Sequence, residues 1–304
     1  MLLALLLVLT ILHLLHVPGF TIDPHVSSLP RALLSAITFH VNLLQARHGD
    51  LPLNWNVLWS LSVEEVFYLG LPLVCCLIKG RRGIVFMFLV FVVLGPFART
   101  VFAGNNEVWE DKSYLSCMDA IAIGCLAAMA SSVMTVGRRL RLGFVVVGWS
   151  LIAFTTLFRT QARYLGLMDS GLNVTGLALG TAMLAIASAH AKRPGLRCLA
   201  PVRWFGRNSY EVYLTHAMAI FVLLPLVKEV DPKAHWIPLS YLLMMASSGL
   251  LGWCIARFYS EPMNRALRQR LQWHISQPAT YVLRKISPRS AGPGQECRHS
   301  GETT

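Results

Sequence analysis

Residues 57–78 read VLWSLSVEEVFYLGLPLVCCLI. This run is long enough to cross a bilayer as a single helix, because a transmembrane span needs about 20 mostly apolar residues. The whole chain has a similar character: of its 304 residues, 55% are hydrophobic and 14% are charged, and the mean hydropathy is +0.53. That composition is too apolar for the surface of a soluble globular protein. The sequence therefore predicts that the lipid bilayer is the solvent of this protein.

Comparable apolar stretches recur along the chain and leave no room for a sizeable soluble domain. They are residues 1–17, 57–78, 83–103, 115–134, 142–158, 171–190, 208–227 and 236–256. We therefore predict an all-α fold, a polytopic bundle of about eight transmembrane helices. The membrane domain is expected over residues 1–260. Residues 261–304 are expected to form a basic cytoplasmic tail that is partly disordered.

The basic residues fall in short runs at alternate ends of these stretches. The runs are Lys79, Arg81 and Arg82; Arg138, Arg139 and Arg141; Lys192, Arg193, Arg197, Arg203 and Arg207; and the tail from Arg257 onward. Most of the 27 Lys and Arg thus lie on one side of the bundle, and the positive-inside rule then places both termini in the cytoplasm. Because the net charge of +12 is distributed in this way, it indicates topology and argues against nucleic-acid binding.

Two other features bear on organisation. Residues 18–56 contain several Pro and Gly and are expected to form an extracytoplasmic loop, whose 31–46 part is amphipathic enough to lie on the membrane or re-enter it. The seven Cys form no CxxC pair and show no metal-ligand spacing with His. Neither a metal site nor a disulfide framework is predicted.

Five acidic residues fall in or at the ends of predicted spans, where a charge is costly and needs a reason. They are Glu64, Glu65, Asp119, Glu211 and Glu261. A transporter uses such groups as a proton relay, a channel lines its pore with them, and an enzyme uses them to position or deprotonate a substrate hydroxyl. Composition alone does not choose among these classes.

The segment WSLSVEEVFY, residues 59–68, contains two of these carboxylates. On a helix, Ser60, Glu64 and Tyr68 share one face, so that a single stripe offers a hydroxyl, a carboxylate and a phenol. Glu65 points about 100° away from Glu64. Glu64 is therefore the carboxylate expected to lead any chemistry. The alternative interpretation is an aromatic belt at the membrane interface.

Four segments resemble the membrane-bound acyltransferase 3 family of bacterial O-acyltransferases. WSLSVEEVFYL, residues 59–69, is similar to the strongest signature of that family. LSCMDAIAIGCLAA at 115–128, FGRNSYEVYLTHA at 205–217 and FYSEPMNRAL at 258–267 resemble three further family segments, in the expected order. The resemblance extends over essentially the whole membrane part of the chain.

This resemblance implies an integral-membrane enzyme that transfers acyl groups other than aminoacyl groups. The family chemistry moves an acyl group, here expected to be acetyl, from acyl-CoA to a hydroxyl of a glycan or related envelope molecule. Acyl-CoA is then a co-substrate and no metal is implied. The expected location is the cell inner (plasma) membrane, as a multi-pass protein whose partners are the bilayer and the glycan.

The resemblance also suggests site residues. Neutral imidazole can take a hydroxyl proton while a carboxylate orients the reacting groups. The expected catalytic residues are Glu64, His216 and His40. The expected substrate-binding residues are Trp59, Ser60, Tyr68, Asn42, Tyr210 and Tyr213. Asp119 and Glu211 are expected to be structural, with Asp119 paired to an Arg from another span and Glu261 capping a helix or bridged to the basic loops.

The sequence also departs from the family pattern. It has no counterpart of the family's first two spans, which include a catalytic-type His, and Met1 begins directly at an apolar stretch. An N-terminally truncated, weakly active enzyme is therefore one expectation. Two others stay open: a transporter or flippase-like carrier that uses the intramembrane acids for coupling, and a non-catalytic relic that only binds.

Overall fold

The computed structural model of the protein describes residues 1–78, 80–102, 106–191, 197–230 and 236–270, apart from the side chains of Phe102, Glu107 and Cys198. All regular elements in these ranges are helical, and no strand occurs among them. The prediction of an all-α fold is confirmed. The part of the predicted tail from 271 to 304 lies outside the described residues.

Fourteen α-helices make up the described chain. They are α1 (Leu2–Leu14), α2 (Leu29–Ile37), α3 (Val41–His48), α4 (Leu53–Asn56), α5 (Leu58–Leu77), α6 (Arg81–Phe97), α7 (Glu107–Lys112), α8 (Tyr114–Ser131), α9 (Arg138–Leu157), α10 (Arg159–Tyr164), α11 (Leu172–Ala189), α12 (Ala200–Arg207), α13 (Ser209–Val230) and α14 (Ile237–Ile255). Short π-helical turns follow α6 over Ala98–Phe102 and α14 over Ala256–Ser260.

Seven helical segments of the described chain are long and apolar enough to cross a membrane. They are Leu53–Leu77, Arg81–Val101, Val108–Ser131, Arg138–Leu157, Leu172–Ala189, Ser209–Val230 and Ile237–Arg270. They correspond to the predicted stretches from residue 57 onward. The polytopic helical bundle is therefore confirmed, and the protein is a multi-pass membrane protein.

The first predicted stretch, residues 1–17, forms a shorter helix than the others. α1 has 13 residues, which at 1.5 Å per residue is about 20 Å, against a hydrocarbon core of about 30 Å. The helix ends in a turn at His16, whose φ is +55°, and beyond this turn the Nδ1 of His13 accepts a hydrogen bond of 3.0 Å from the Ile22 backbone N–H. His13 thus has a structural role at the end of α1.

The main hydrophobic core joins α1 to the segment that follows it. Leu9 of α1, Leu58 of α5 and Leu214 of α13 belong to one buried cluster with the fully buried Trp55. The indole N–H of Trp55 donates a 2.9 Å hydrogen bond to the Phe20 carbonyl. The predicted loop 18–56 is therefore folded into the core. Its amphipathic 31–46 part is divided between α2 and α3, each of which buries one face.

A second group of helices consists of α6, α8, α9 and α11. Two glycines let α9 and α11 approach closely, because a Cβ at Gly148 would lie only 2.9 Å from the Gly180 carbonyl oxygen. Gly95 on α6 has the same function toward α8, since a Cβ there would lie 2.5 Å from Cβ of Asp119. Small residues at helix contacts are the usual way to pack membrane helices.

The chain divides into two compact units, Met1–Gly252 and Trp253–Thr304. Within the second unit, Glu261 accepts from Arg257 at 3.4 Å and from Arg265 at 3.1 Å, each four residues away. Two roles were expected of Glu261, a helix cap or a salt bridge to the basic loops; the structure shows salt bridges, to two arginines one helical turn away. The domain boundary at residue 260 stays a prediction.

The sidedness of the bundle is a prediction that reporter fusions test. The positive-inside prediction places the basic C-terminal tail in the cytoplasm, so a fluorescent-protein fusion there should be fluorescent. For α13 the structure disagrees with this prediction: Ser60 contacts Tyr213, so the starts of α5 and α13 lie at one level, whereas the charge pattern places them on opposite sides. An alkaline-phosphatase fusion after Gly49 should be active, as expected of an extracytoplasmic site. Phosphatase activity from a fusion at the tail would contradict this topology.

Candidate functional site

Helices α5 and α13 meet at a pair of hydroxyl groups. Ser60 lies in the first turn of α5, and its hydroxyl contacts the Tyr213 hydroxyl in a short hydrogen bond. Each hydroxyl is also 3.4 Å from the Val57 carbonyl oxygen. The two hydroxyl protons are thus shared among three oxygens, and the two long contacts to the Val57 carbonyl are the weakest of these hydrogen bonds. They are the hydrogen bonds that a substrate oxygen can replace at least cost.

His216 lies one turn after Tyr213 on α13. Its Nδ1 is 2.5 Å from the Tyr213 carbonyl oxygen, and the two rings are 5.5 Å apart between centroids. A carbonyl oxygen only accepts, so Nδ1 carries the proton in the neutral ring and Nε2 presents its lone pair. Nε2 has no hydrogen-bond partner within the described part of the chain. The ring is half-buried, so a substrate can reach it.

Two carboxylates of α5, Glu64 and Glu65, lie within electrostatic range of the same end of α13. Glu64, one turn beyond Ser60, interacts electrostatically with the Tyr213 hydroxyl. Glu64, Glu65 and Glu211 all lie within electrostatic range of Tyr210. The structure therefore brings together five of the predicted site residues, which we call the α5–α13 cluster: Ser60, Glu64, Tyr210, Tyr213 and His216.

Trp59 and Tyr68 lie beside this cluster without a contact to it in the described structure. Tyr68 is 60% exposed, and its ring packs edge-on against Phe67 at 5.8 Å. Trp59 packs on the hydrophobic core and lies under the Lys112 ammonium, 6.0 Å from the ring centroid. The buried face of α5 consists of Leu58, Leu61, Ser62 and Val63.

His40 and Asn42 occupy a different region. The Nδ1 of His40 is 2.6 Å from the Thr38 hydroxyl, and no contact with the α5–α13 cluster occurs among its described interactions. Asn42 is fully buried, and its amide nitrogen donates to the Lys112 carbonyl at 3.1 Å. Asn42 therefore holds α3 to the end of α7. Substrate contacts by His40 and Asn42 stay predictions.

Asp119 forms a buried ion pair with Arg99, at 2.5 Å, between α8 and the turn after α6. The Thr175 hydroxyl donates to the second carboxylate oxygen of Asp119 at 2.5 Å, and Arg99 also donates to the Gly171 carbonyl at 2.8 Å. The predicted pairing of Asp119 with an Arg from another span is confirmed. Arg99 was not among the residues predicted from the sequence. The one sequence feature that pointed to it was the presence of an arginine close to the end of the apolar stretch 83–103.

Lys112 is the second polar residue that sequence reasoning missed. Its ammonium group lies 2.6 Å from a carboxylate oxygen of Asp50, 3.1 Å from Asn56 Oδ1 and 3.2 Å from Gln45 Oε1. The side chain of Lys112 is only 14% exposed. These contacts join residues far apart in the chain, so no local sequence pattern predicted them.

Among the residues that the structure describes, no group of three or more His, Cys, Asp or Glu side chains is arranged to hold a metal ion. The groups that the α5–α13 cluster offers are three hydroxyls, one carboxylate and one imidazole. They are suited to binding a hydroxyl-bearing molecule and accepting its proton.

A family model described as an acyltransferase domain, that of the acyltransferase 3 family, matches residues 1–257. The match covers well over half of the 304-residue chain and includes all helices from α1 to α14. No curated protein and no solved structure matches the chain.

Proposed function

The chain belongs to the acyltransferase 3 family, and on that premise we propose that it moves an acyl group, in the first instance acetyl, from acyl-CoA to a hydroxyl of a glycan or related envelope molecule. The proposal includes a location in the cell inner (plasma) membrane, where a bundle of this kind connects a cytoplasmic donor with an extracytoplasmic acceptor. Acyl-CoA is the proposed co-substrate.

The observation that supports this proposal most directly is the imidazole of His216. Its Nδ1–H is directed to the Tyr213 carbonyl, and this leaves Nε2 as a proton acceptor on a ring whose centroid lies 5.5 Å from that of the Tyr213 ring. A hydroxyl is a poor nucleophile near neutral pH, so acyl transfer to it needs such a base. Glu64 supplies a carboxylate that interacts electrostatically with the Tyr213 hydroxyl.

The acceptor oxygen bonds to the acyl carbon as its proton passes to Nε2 of His216. The carbon–sulfur bond then breaks, and coenzyme A leaves as a thiolate that takes this proton back from the His216 imidazolium, so that the neutral base is restored. In the tetrahedral intermediate, the Ser60 or Tyr213 hydroxyl can turn from the Val57 carbonyl toward the oxyanion, since that contact is the long one.

Membranes that contain the full chain test this proposal when supplied with radiolabelled acetyl-CoA. Label should appear in a glycan fraction, and mild base should release it as acetate, as expected for an ester. Membranes without the chain should incorporate none above background. A chain that couples solute flux to a proton gradient and transfers no label would instead be a carrier.

Glu64→Gln should lower the rate of transfer about tenfold or more, whereas Glu65→Gln should retain more activity. The reason is electrostatic: Glu64 interacts with the Tyr213 hydroxyl that contacts Ser60, whereas the described interactions of Glu65 are with Tyr210 and with Glu64 itself. Losing a charge interaction of about 1.4 kcal/mol costs a factor of ten. Initial rates with labelled acetyl-CoA measure both variants. Equal rates in both variants and the parent would remove Glu64 from the chemistry.

A further inference from the structure

A long groove lies between α8 and α11. Its volume is about 760 Å³, and its lining consists mostly of small and aliphatic residues. Gly124, Ala128 and Ala185 are exposed, so the groove is open along the surface of the bundle. We call it the α8–α11 groove and define it by six lining residues: Ala120, Gly124 and Ala128 from α8, and Thr181, Ala185 and Ala189 from α11.

The length of the α8–α11 groove corresponds to the depth of one lipid leaflet. α11 lines it from Val174 to Ala189, a rise of about 22 Å at 1.5 Å per residue. The hydrocarbon core of a bilayer is about 30 Å thick, so the acyl chains of one leaflet occupy about 15 Å of it. A whole acyl chain therefore fits along the groove.

The protein itself leaves this space unfilled. A Cβ at Gly124 would meet no atom of a neighbouring helix within 4 Å. By contrast, a Cβ at Gly148 or at Gly180 would lie 2.9 or 2.8 Å from a carbonyl oxygen of the facing helix. Gly124 thus has no packing role within the described chain, and an apolar molecule of the bilayer has access to the space beside it.

Two arginines lie at one end of the groove. Arg81 of α6 donates to the Met129 carbonyl at 3.0 Å, one residue after Ala128 of the groove. Arg141 of α9 donates to the His190 carbonyl at 3.4 Å, one residue after Ala189 of the groove. Backbone carbonyls of both groove helices therefore hold a guanidinium at the same end.

The positive charge of these arginines is not neutralised within the described chain. Neither Arg81 nor Arg141 forms an ion pair with a described carboxylate. Each guanidinium has several N–H donors and uses one of them on a backbone carbonyl. Residues 66–106, 120–168 and 170–210, which contain this end of α6, α8, α9 and α11, include no Asp or Glu. An anion at this end meets both positive charge and free donors.

An apolar groove that ends at two arginines matches an anionic amphiphile. Basic pockets between transmembrane helices bind the head groups of anionic lipids, and a guanidinium pairs well with a phosphate. We infer that the α8–α11 groove is a binding site for an anionic phospholipid, with one acyl chain along the groove and the phosphate at Arg81 and Arg141. The inference adds a ligand that takes no part in acyl transfer, and it stands whether or not the chain is an acyltransferase.

A helix from a second copy of the chain is the other occupant that small residues suit. In a two-fold dimer formed through this groove, each copy presents the same surface to the other. The arginines of both copies would then lie close together, in a region whose sequence has no carboxylate to offset their repulsion. This charge distribution favours a lipid phosphate over a second copy.

Native mass spectrometry of the full chain in detergent tests the inference without requiring turnover. The probes are phosphatidylglycerol and phosphatidylcholine with the same palmitoyl and oleoyl chains, and acetyl-CoA serves as the competitor. One phosphatidylglycerol per chain should be retained, about tenfold more tightly than phosphatidylcholine. Equal retention of the two lipids would overturn the inference. Displacement of phosphatidylglycerol by acetyl-CoA would assign the arginines to the acyl donor and would also overturn it.

Two variants locate the lipid. Gly124→Leu fills the groove without a clash, because its Cβ has open space, and it should weaken phosphatidylglycerol binding about tenfold as the acyl chain loses buried CH₂ groups. Arg81→Gln keeps an N–H donor for the Met129 carbonyl but removes the charge, and it should weaken binding about fivefold.

Each variant has a matched control. Gly143→Leu makes the same change on α9, at an exposed glycine whose Cβ would also meet nothing within 4 Å. Arg163→Gln removes an exposed charge on α10, where the side chain has no partner among the described residues. Both controls should bind phosphatidylglycerol as the parent does.

Two further outcomes count against the lipid site. Phosphatidylglycerol affinity that is unchanged in both Gly124→Leu and Arg81→Gln would place the lipid elsewhere. A parent that is dimeric, with a monomeric Gly124→Leu variant, would show that the groove is a contact between copies. Thermal unfolding midpoints equal to that of the parent show that the variants are folded. If Gly124→Leu does not fold, Arg81→Gln and its control decide the result.

Discussion

His216→Ala should lower the rate of acyl transfer by about a hundredfold to ten-thousandfold, the usual cost of removing a general base. The hydrogen bond from Nδ1 to the Tyr213 carbonyl makes Nε2 the proton acceptor, and no other side chain of the α5–α13 cluster combines that role with a reference pKa near neutrality. Initial rates with labelled acetyl-CoA in membranes measure the loss.

The control for this variant is His25→Ala. His25 is exposed, and its described hydrogen bonding is through its backbone N–H, which donates to Asp23. Its replacement should leave the rate unchanged. If both His216→Ala and His25→Ala retain the activity of the parent, the base is a different group and the mechanism proposed for the cluster is wrong.

Asp119→Leu should destabilise the protein by about 3–5 kcal/mol, because it leaves the Arg99 guanidinium buried without its counter-ion. Both side chains are almost inaccessible, at 4% and 0% exposure. Replacing both partners should cost less than the single change, since Arg99→Leu together with Asp119→Leu leaves no unpaired charge in the interior. Thermal or denaturant unfolding in detergent measures each variant.

The matched control breaks an exposed ion pair. Glu261→Gln removes the carboxylate between Arg257 and Arg265, whose side chains are 57% and 69% exposed, and it should change stability by less than about 1 kcal/mol. A double variant at positions 99 and 119 that is as unstable as the sum of its single variants would show that the two charges do not compensate each other.

Several features of the fold were predictable because they depend on local composition. Apolar runs of about 20 residues locate spans whatever their packing, and seven of the predicted stretches are long apolar helices. The first stretch shows the limit of this reasoning. Hydropathy predicts one apolar run over residues 1–17, but α1 has only 13 residues, and the side chain of His13 near its end contacts the Ile22 backbone N–H. A contact across nine positions leaves no periodic signal.

The candidate site was predictable only in part. Ser60, Glu64, Tyr213 and His216 could be named because two short segments, 59–69 and 205–217, resemble family motifs. Their convergence follows from the packing of α5 against α13, which the sequence does not state. His40 stands close to the signature in sequence, yet the described structure gives it Thr38 as its partner.

By itself, the sequence determined that this protein is a multi-pass helical membrane protein of the acyltransferase 3 family, since hydrophobic length and short motifs are local properties of the chain. The tertiary structure alone decided which polar groups meet. Arg99 reaches Asp119 because Gly95 lets α6 approach α8, and Lys112 reaches Asp50 because α7 packs on α3. Polar groups removed from water must find partners, and which partners they find depends on helix packing between segments distant in sequence.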